Sequence, residues 1–375
     1  MSITVAAPPV AARAPAPSRI LALDTARGLA VLGMIVAHVG VTRSLSWGDP
    51  GSWLAVAHGR SAILFATLAG VSIALISGRQ RPPTGSQLVA ARTRILVRAC
   101  VLFAIGGVLT ALDTGISVIL QTYALLFVCC LPFLTWTPRR LLILAAGWAV
   151  VAPALTIWLS HLLSGSCDRS DETCSGAQIT DLAVIGEYPG LVWITFALVG
   201  LALGRSDLGS TVLRMRLLVA GASLMILGYG GGWLATNLGE AIESDWAQLL
   251  TAEPHSGTTF EIAGSLGFAL TVLGALLLTV DRMRPLLFPI SAVGSIPLTV
   301  YAAHIVAVRF LSEGARESTG NTVLAIFLGI TIASATLYVL VLGRGPLERL
   351  VTWVGVRATT PGRAPSPPIS AGSAG

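Results

Sequence analysis

Between residues 20 and 343 the chain is a succession of apolar runs, each close to twenty residues long and each separated from the next by a short polar connector. A helix rises about 1.5 Å per residue, so runs of this length match the ~30 Å hydrocarbon core of a bilayer. Backbone polar groups find no water there, and a run that long satisfies them only as a helix. The runs are too long for the strands of a membrane barrel and lack period-two alternation. Of the residues, 54% are hydrophobic and 11% charged, a balance far from that of soluble globular domains. The fold class expected is therefore an all-α polytopic membrane protein. The spans fall near 20–42, 60–78, 95–112, 116–136, 141–163, 187–204, 216–236, 260–280, 286–308 and 322–343, which makes about ten transmembrane helices.

Every basic residue is arginine, and its placement orients the chain. With the N-terminus inside, Arg79, Arg81, Arg92, Arg94, Arg139, Arg140, Arg205, Arg214, Arg216, Arg282, Arg284, Arg344 and Arg349 all fall in inner connectors. Few arginines fall outside, as the positive-inside rule requires. Both termini are then cytoplasmic. Residues 1–18 are rich in Ala and Pro and lack the charged start and cleavage pattern of a signal peptide, so a disordered cytoplasmic leader is expected. Residues 19–357 form the transmembrane domain, and 358–375 a disordered cytoplasmic tail. The net charge of +6 is accounted for by this topology and gives no nucleic-acid signal. Cys167 and Cys174 sit in an outer loop, CDRSDETC, where a disulfide could form. Cys100, Cys129 and Cys130 lie in apolar runs as small core residues.

The first span, RILALDTARGLAVLGMIVAH, carries Asp24, Arg27 and His38. Charges inside a membrane segment are costly and usually face a bundle interior or a wet cavity, paired and functional. Asp24 and Arg27 are one turn apart on one helix face, an expected ion pair near the inner surface. His38 lies about three turns further, on nearly the same face and near the outer surface. All five histidines (His38, His58, His161, His255 and His304) fall at outer span ends or outer loops. Histidine is the usual general base near neutral pH. His58 opens the second span beside Arg60 and Ser61. His255 lies just ahead of the eighth span, whose first turn holds Glu261, an intramembrane carboxylate able to orient a histidine. Ser256 or Thr258 would cap that helix. His161 and His304 are read as structural, and Gln121 and Tyr123 as polar marks that could line a cavity. On the inner side, Arg79, Arg81, Arg92, Arg94 and Arg98 form a basic patch. It suits anionic lipid or, read more sharply, the phosphates of a cytosolic donor. Metal-ligand spacing, a phosphate-binding glycine loop and a nucleophile elbow are all missing.

The series Arg19, Asp24, Arg27, His38 resembles the opening of the transmembrane acyltransferase superfamily, which includes heparan-α-glucosaminide N-acetyltransferase and the bacterial acyltransferase-3 proteins. HGRSAILFATLAG, EPHSGTTFEIAGS and SIPLTVYAAH…GPLERL are similar to the YeiB-like bacterial branch. The resemblance touches essentially the whole membrane domain. It implies an acyltransferase of the bacterial plasma membrane, passing an acyl group, often acetyl, from cytosolic acyl-CoA to an outside hydroxyl or amine. The acceptor would be a cell-envelope sugar, lipid or small molecule, and a homodimer is compatible with this reading. In the heparan enzyme the catalytic histidine lies in the first non-cytoplasmic loop. Here the equivalent position is near Asp49, and the loop offers histidines only at its ends. The reading that follows has Asp24 and Arg27 organising the inner half of the path and Arg92, Arg94 and Arg98 engaging the CoA phosphates. His38, with His58 or His255 (the latter set by Glu261), deprotonates the acceptor. No resident cofactor or metal is expected. The rival class is a transporter without catalysis, since intramembrane charges and outer histidines serve carriers too.

Overall fold

The computed structural model describes residues 20–41, 45–46, 48–164, 180–239, 245–311 and 321–359. Among them there is helix and connecting chain, with no strand. The helices are α1 (Leu21–Val39), α2 (Arg60–Ile76), α3 (Gly85–Thr110), α4 (Leu120–Cys129), α5 (Pro138–Ser164), α6 (Gly190–Arg205), α7 (Thr211–Met225), α8 (Gly231–Gly239), α9 (Thr259–Thr279), α10 (Arg284–Ser295), α11 (Pro297–Arg309), α12 (Thr322–Leu342) and α13 (Pro346–Thr359). Helix stands at every stretch expected to span. Six segments are long and apolar enough to cross a membrane, or seven if the bent pair α10–α11 counts as one. Two more, α4 and α6, are apolar but shorter. The leader, the Cys167–Cys174 loop and residues 360–375 lie outside the described residues, whereas residues 358 and 359 belong to α13.

Burial sorts the helices into layers. Most of α1, α2 and α9 is covered by other helices, while α5, α7 and α12 are largely uncovered, as lipid-facing helices are. The inner layer is close because its contacts use small residues. Where α2 crosses α6, a Cβ on Gly200 would overlap the carbonyl of Thr67, and one on Gly70 the carbonyl of Ala197. Backbones that approach this closely gain dispersion contacts that lipid cannot supply. The same device joins α1 to α10: Gly28 faces the carbonyl of Ile290, Gly294 that of Asp24, and Thr25 Oγ1 meets Ser291 Oγ at 2.7 Å. This crossing fixes the inner half of α1.

Two irregularities shape the bundle. A π-helical turn over Ile226–Gly230 joins α7 to α8 at the glycine-rich stretch. The stretch expected as one span over 286–308 is two helices meeting at 75°. Pro297 takes the first position of α11, where its missing N–H costs nothing. The next donors, Leu298 N–H and Thr299 N–H, reach Glu348 of α13 at 2.8 and 3.1 Å. Thr299 Oγ1 donates to the same carboxylate at 2.5 Å. A carboxylate from a later helix thus caps the start of α11. Arg205, buried at the end of α6, ties down the end of α2. It donates to Ser77 O at 2.9 Å, Arg79 O at 2.6 Å, Ser77 Oγ at 2.9 Å and Leu134 O.

Candidate functional site

The expected ion pair forms: Arg27 Nη1 lies 2.9 Å from Asp24 Oδ1, and Arg27 Nη2 donates to Ser72 Oγ at 3.0 Å. Both residues line a cavity of about 490 Å³ at the arginine-rich end of the bundle, with Arg79, Arg98, Arg344 and Glu348. Its two carboxylates are engaged, Asp24 by Arg27 and Glu348 by α11. Arg98 lies over the Phe127 ring at 5.8 Å, and its buried Nε has no hydrogen-bond partner among the described residues. Cations therefore outnumber free anions on this wall, which favours an anionic occupant. Arg92 and Arg94 lie further along α3 on its exposed surface, and neither lines this cavity. Arg94 Nε reaches Thr359 Oγ1 of α13 at 3.4 Å.

A slot of about 70 Å³ continues inward from Arg27, Ser72 and Arg98 to Tyr123 and Tyr301. Tyr123 is anchored by its hydroxyl to Ala62 O at 2.9 Å. The Tyr301 hydroxyl accepts from Ile119 N–H at 3.4 Å, and its ring stands edge-on to His304, centroids 4.9 Å apart. His304 Nε2 lies 3.0 Å from His38 Nδ1, with the two rings nearly parallel. His304, read from the sequence as structural, is only 2% exposed and is the direct partner of His38. The spacing of Tyr301 and His304 on one face of α11 was visible in the sequence. Their meeting with α1 was not, because 266 residues separate the two histidines.

His38 is within electrostatic reach of His58 and His255. His58 follows a 3₁₀ helix over Pro50–Ala57, which replaces much of the loop expected there. Its neighbour Gly59 (φ 67°) packs against Pro254, so the start of α2 meets the segment before α9. His255 adopts φ 64°, unusual for a residue with a Cβ. What holds it there is Glu261. The carboxylate is 5% exposed and accepts His255 N–H at 2.7 Å, Gly257 N–H at 2.6 Å and Ser256 Oγ at 3.4 Å. Thr258, not Ser256, caps α9 by accepting Glu261 N–H at 3.0 Å. The expected Glu261–His255 partnership thus runs through backbone. The His255 ring contacts other groups: Glu187 O at 3.4 Å, Glu187 Oε1 at 3.9 Å and the Tyr188 ring at 5.5 Å. Burial, then the Glu187 charge, holds the Tyr188 phenol above its ordinary range, so it stays neutral. Glu187 and Tyr188 were not singled out in the sequence: they open the span expected at 187–204, whereas the helix starts at Gly190.

Arg60 is committed to the scaffold: Nε donates to Tyr229 OH at 2.7 Å, and that hydroxyl meets Ser265 Oγ at 2.9 Å. Ser61 is buried against Gly33 of α1. His161 sits exposed at the end of α5. No group of three or more metal-ligating side chains occurs among the described residues.

The arrangement is a line through the bundle: a cationic cavity at one face, a narrow slot, then a part-buried histidine pair with two further histidines at the other face. A line of this kind can bind an anion at one end and move a proton at the other. The family model for the catalytic domain of heparan-alpha-glucosaminide N-acetyltransferase matches residues 19–228, more than half of the chain. The match includes α1 with Asp24, Arg27 and His38, and also His58 and Arg98. No curated protein matches the chain. The chain is a multi-pass membrane protein and belongs to the heparan-alpha-glucosaminide N-acetyltransferase catalytic family, a family of membrane acetyltransferases.

Proposed function

We propose that the protein transfers an acyl group, in the first instance acetyl, from acyl-CoA at the arginine face to a hydroxyl or amine at the histidine face. The observation that carries this reading is the His38–His304 hydrogen bond at the end of a line of cavity-lining residues that starts at Arg27 and Arg98. The phosphates of the donor lie against Arg98, Arg79 and Arg344, and its thioester arm points through the slot toward Tyr301. At about 70 Å³ the slot holds little more than two water-sized volumes, so its walls must part to pass a pantetheine arm.

The chemistry at the far end follows from the tautomer in which His38 Nδ1 donates to His304 Nε2. His38 Nε2 then holds the lone pair that takes the proton of the acceptor, and His304 steadies the imidazolium that forms. The acceptor oxygen or nitrogen bonds to the acyl carbon, the C–S bond breaks, and the proton passes to the thiolate, giving free CoA and the acylated acceptor. Asp24 acts by fixing Arg27. His58 and His255 shape the field at the mouth, and Glu261 positions His255. Arg92 and Arg94 serve as an outer basic approach for the donor. The Arg distribution supports about ten crossings with both termini cytoplasmic.

The 75° break between α10 and α11 favours a second reading, because broken helices mark the substrate sites of carriers. Free thiol separates the two. Purified protein in liposomes should release CoA from acetyl-CoA, and His38→Ala and His304→Ala should each lower that rate roughly 10²–10⁴-fold. If CoA release is absent, or indifferent to both substitutions, acyl transfer by this pair is wrong.

A further inference from the structure

A cavity of about 410 Å³ lies between α11 and α12, on the side of α11 away from the cationic cavity. Ala303 and Ala307, one turn apart and exposed, leave the space, and Ala335 of α12 forms part of its floor. The walls are mostly apolar, with hydroxyls from Thr299, Thr331, Ser334 and Tyr338. The one imidazole in the wall is His304, near the end away from the cationic cavity. Ile330 at its lip is 64% exposed, as are neighbouring large apolar residues of α12 such as Ile326 and Leu337. In a membrane protein such residues face hydrocarbon, so the groove opens sideways to the bilayer rather than to water.

This geometry has a direction. A chain lying in the groove enters from the lipid, runs toward the membrane middle along α11, and leaves its polar end at the level of His304. That is the posture of an amphiphile in the leaflet on the histidine side. Because His304 is shared by the groove and by the His38 pair, the polar end arrives where the acceptor proton is taken.

We infer that the α11–α12 groove admits the hydrocarbon chain of a membrane amphiphile from the leaflet on the histidine side, and that the acyl acceptor is the hydroxyl or amine of its head. This rests on the acyl-transfer reading above and names its substrate class. The balance is that of an ester or amide synthesis from a thioester: the head loses one proton and gains the acyl group, and CoA leaves as the thiol. The groove residues take no part in the bond changes; they position the head.

The test uses full-length protein in liposomes of native membrane lipid with radiolabelled acetyl-CoA, and Ala303→Trp and Ala335→Trp to fill the groove from opposite walls. Label is expected in the organic-solvent extract, falling roughly tenfold or more in both variants because a filled groove no longer seats the chain, a change of about 1.4 kcal/mol or more. Ala303→Val and Ala335→Val serve if the larger variants do not elute as a single species. In parallel, a single-chain amphiphile with a photoreactive diazirine in its tail is expected to mark peptides of α11 and α12 saturably, and less so in the filled variants. Label in a water-soluble product that is indifferent to groove filling overturns the inference. So does dimer cross-linking through Phe327→Cys, which would give the groove to a second copy. If CoA is never released, the parent reading fails. The photoreactive probe still decides the groove, and no saturable marking of α11 and α12 refutes it.

Discussion

At the scale of single residues, Arg98, His161 and Asp24 carry distinct expectations. The buried Nε of Arg98 has no hydrogen-bond partner among the described residues, and Arg98 lines both the cavity and the slot. A charge-assisted hydrogen bond is worth about 1.5–3 kcal/mol, so Arg98→Ala should raise the KM for acetyl-CoA by roughly 10- to 100-fold with kcat little changed. Initial-rate kinetics read the split; a fall in kcat alone would put Arg98 elsewhere. His161→Ala, at the exposed end of α5, should leave transfer untouched. Asp24→Asn leaves Arg27 without its charge partner in a half-buried site, and a loss on the order of 2 kcal/mol should appear as a lowered melting temperature in detergent. The Asp24–Arg27 pair was legible in the sequence because helix geometry alone brings residues one turn apart together. His304 was not, since its role depends on a contact across nearly the whole chain. Glu261 was half legible: its place in the first turn of α9 marked it as a partner for His255. That it grips backbone amides rather than the ring depends on the positive φ of His255 and Gly257.

Among elements, α1 and the broken pair α10–α11 make the site, and their contact is steric before it is chemical. Gly294 has no room for a Cβ against the Asp24 carbonyl, nor Gly28 against Ile290. Gly294→Val should therefore push α10 off α1, costing at least the ~1–3 kcal/mol typical of overpacking, seen as lost monodispersity on size exclusion. Substituting Gly147, which faces open space on α5, should not. Glu348 is the other device, a cap delivered by α13 to the start of α11. Glu348→Ala removes the acceptor of two backbone N–H groups and should lower the melting temperature by about 1–2 kcal/mol equivalent. The existence and place of the helices were legible because apolar runs of bilayer length leave the backbone one option. Pro297 inside the span marked a kink, but not its size of 75°, because Pro297 fits equally well in a kinked span and at the first position of a new helix.

Across the whole molecule, the cationic cavity and the histidine cluster lie at opposite ends of one bundle, joined by a slot. On the proposed acyl transfer, that separation would let a donor from one compartment serve an acceptor in the other without either crossing. In the proposed groove, lipid-facing α12 would add a lateral way in. The most direct test is vectorial. In sealed inside-out membrane vesicles, which present the arginine face to the medium, radiolabelled acetyl-CoA is added outside. Free CoA should appear outside while the label becomes bound to acceptor at the protected face, and His304→Ala should abolish both. Label that accumulates inside without CoA release, or equal use of acetyl-CoA by vesicles of the opposite orientation, would contradict the account.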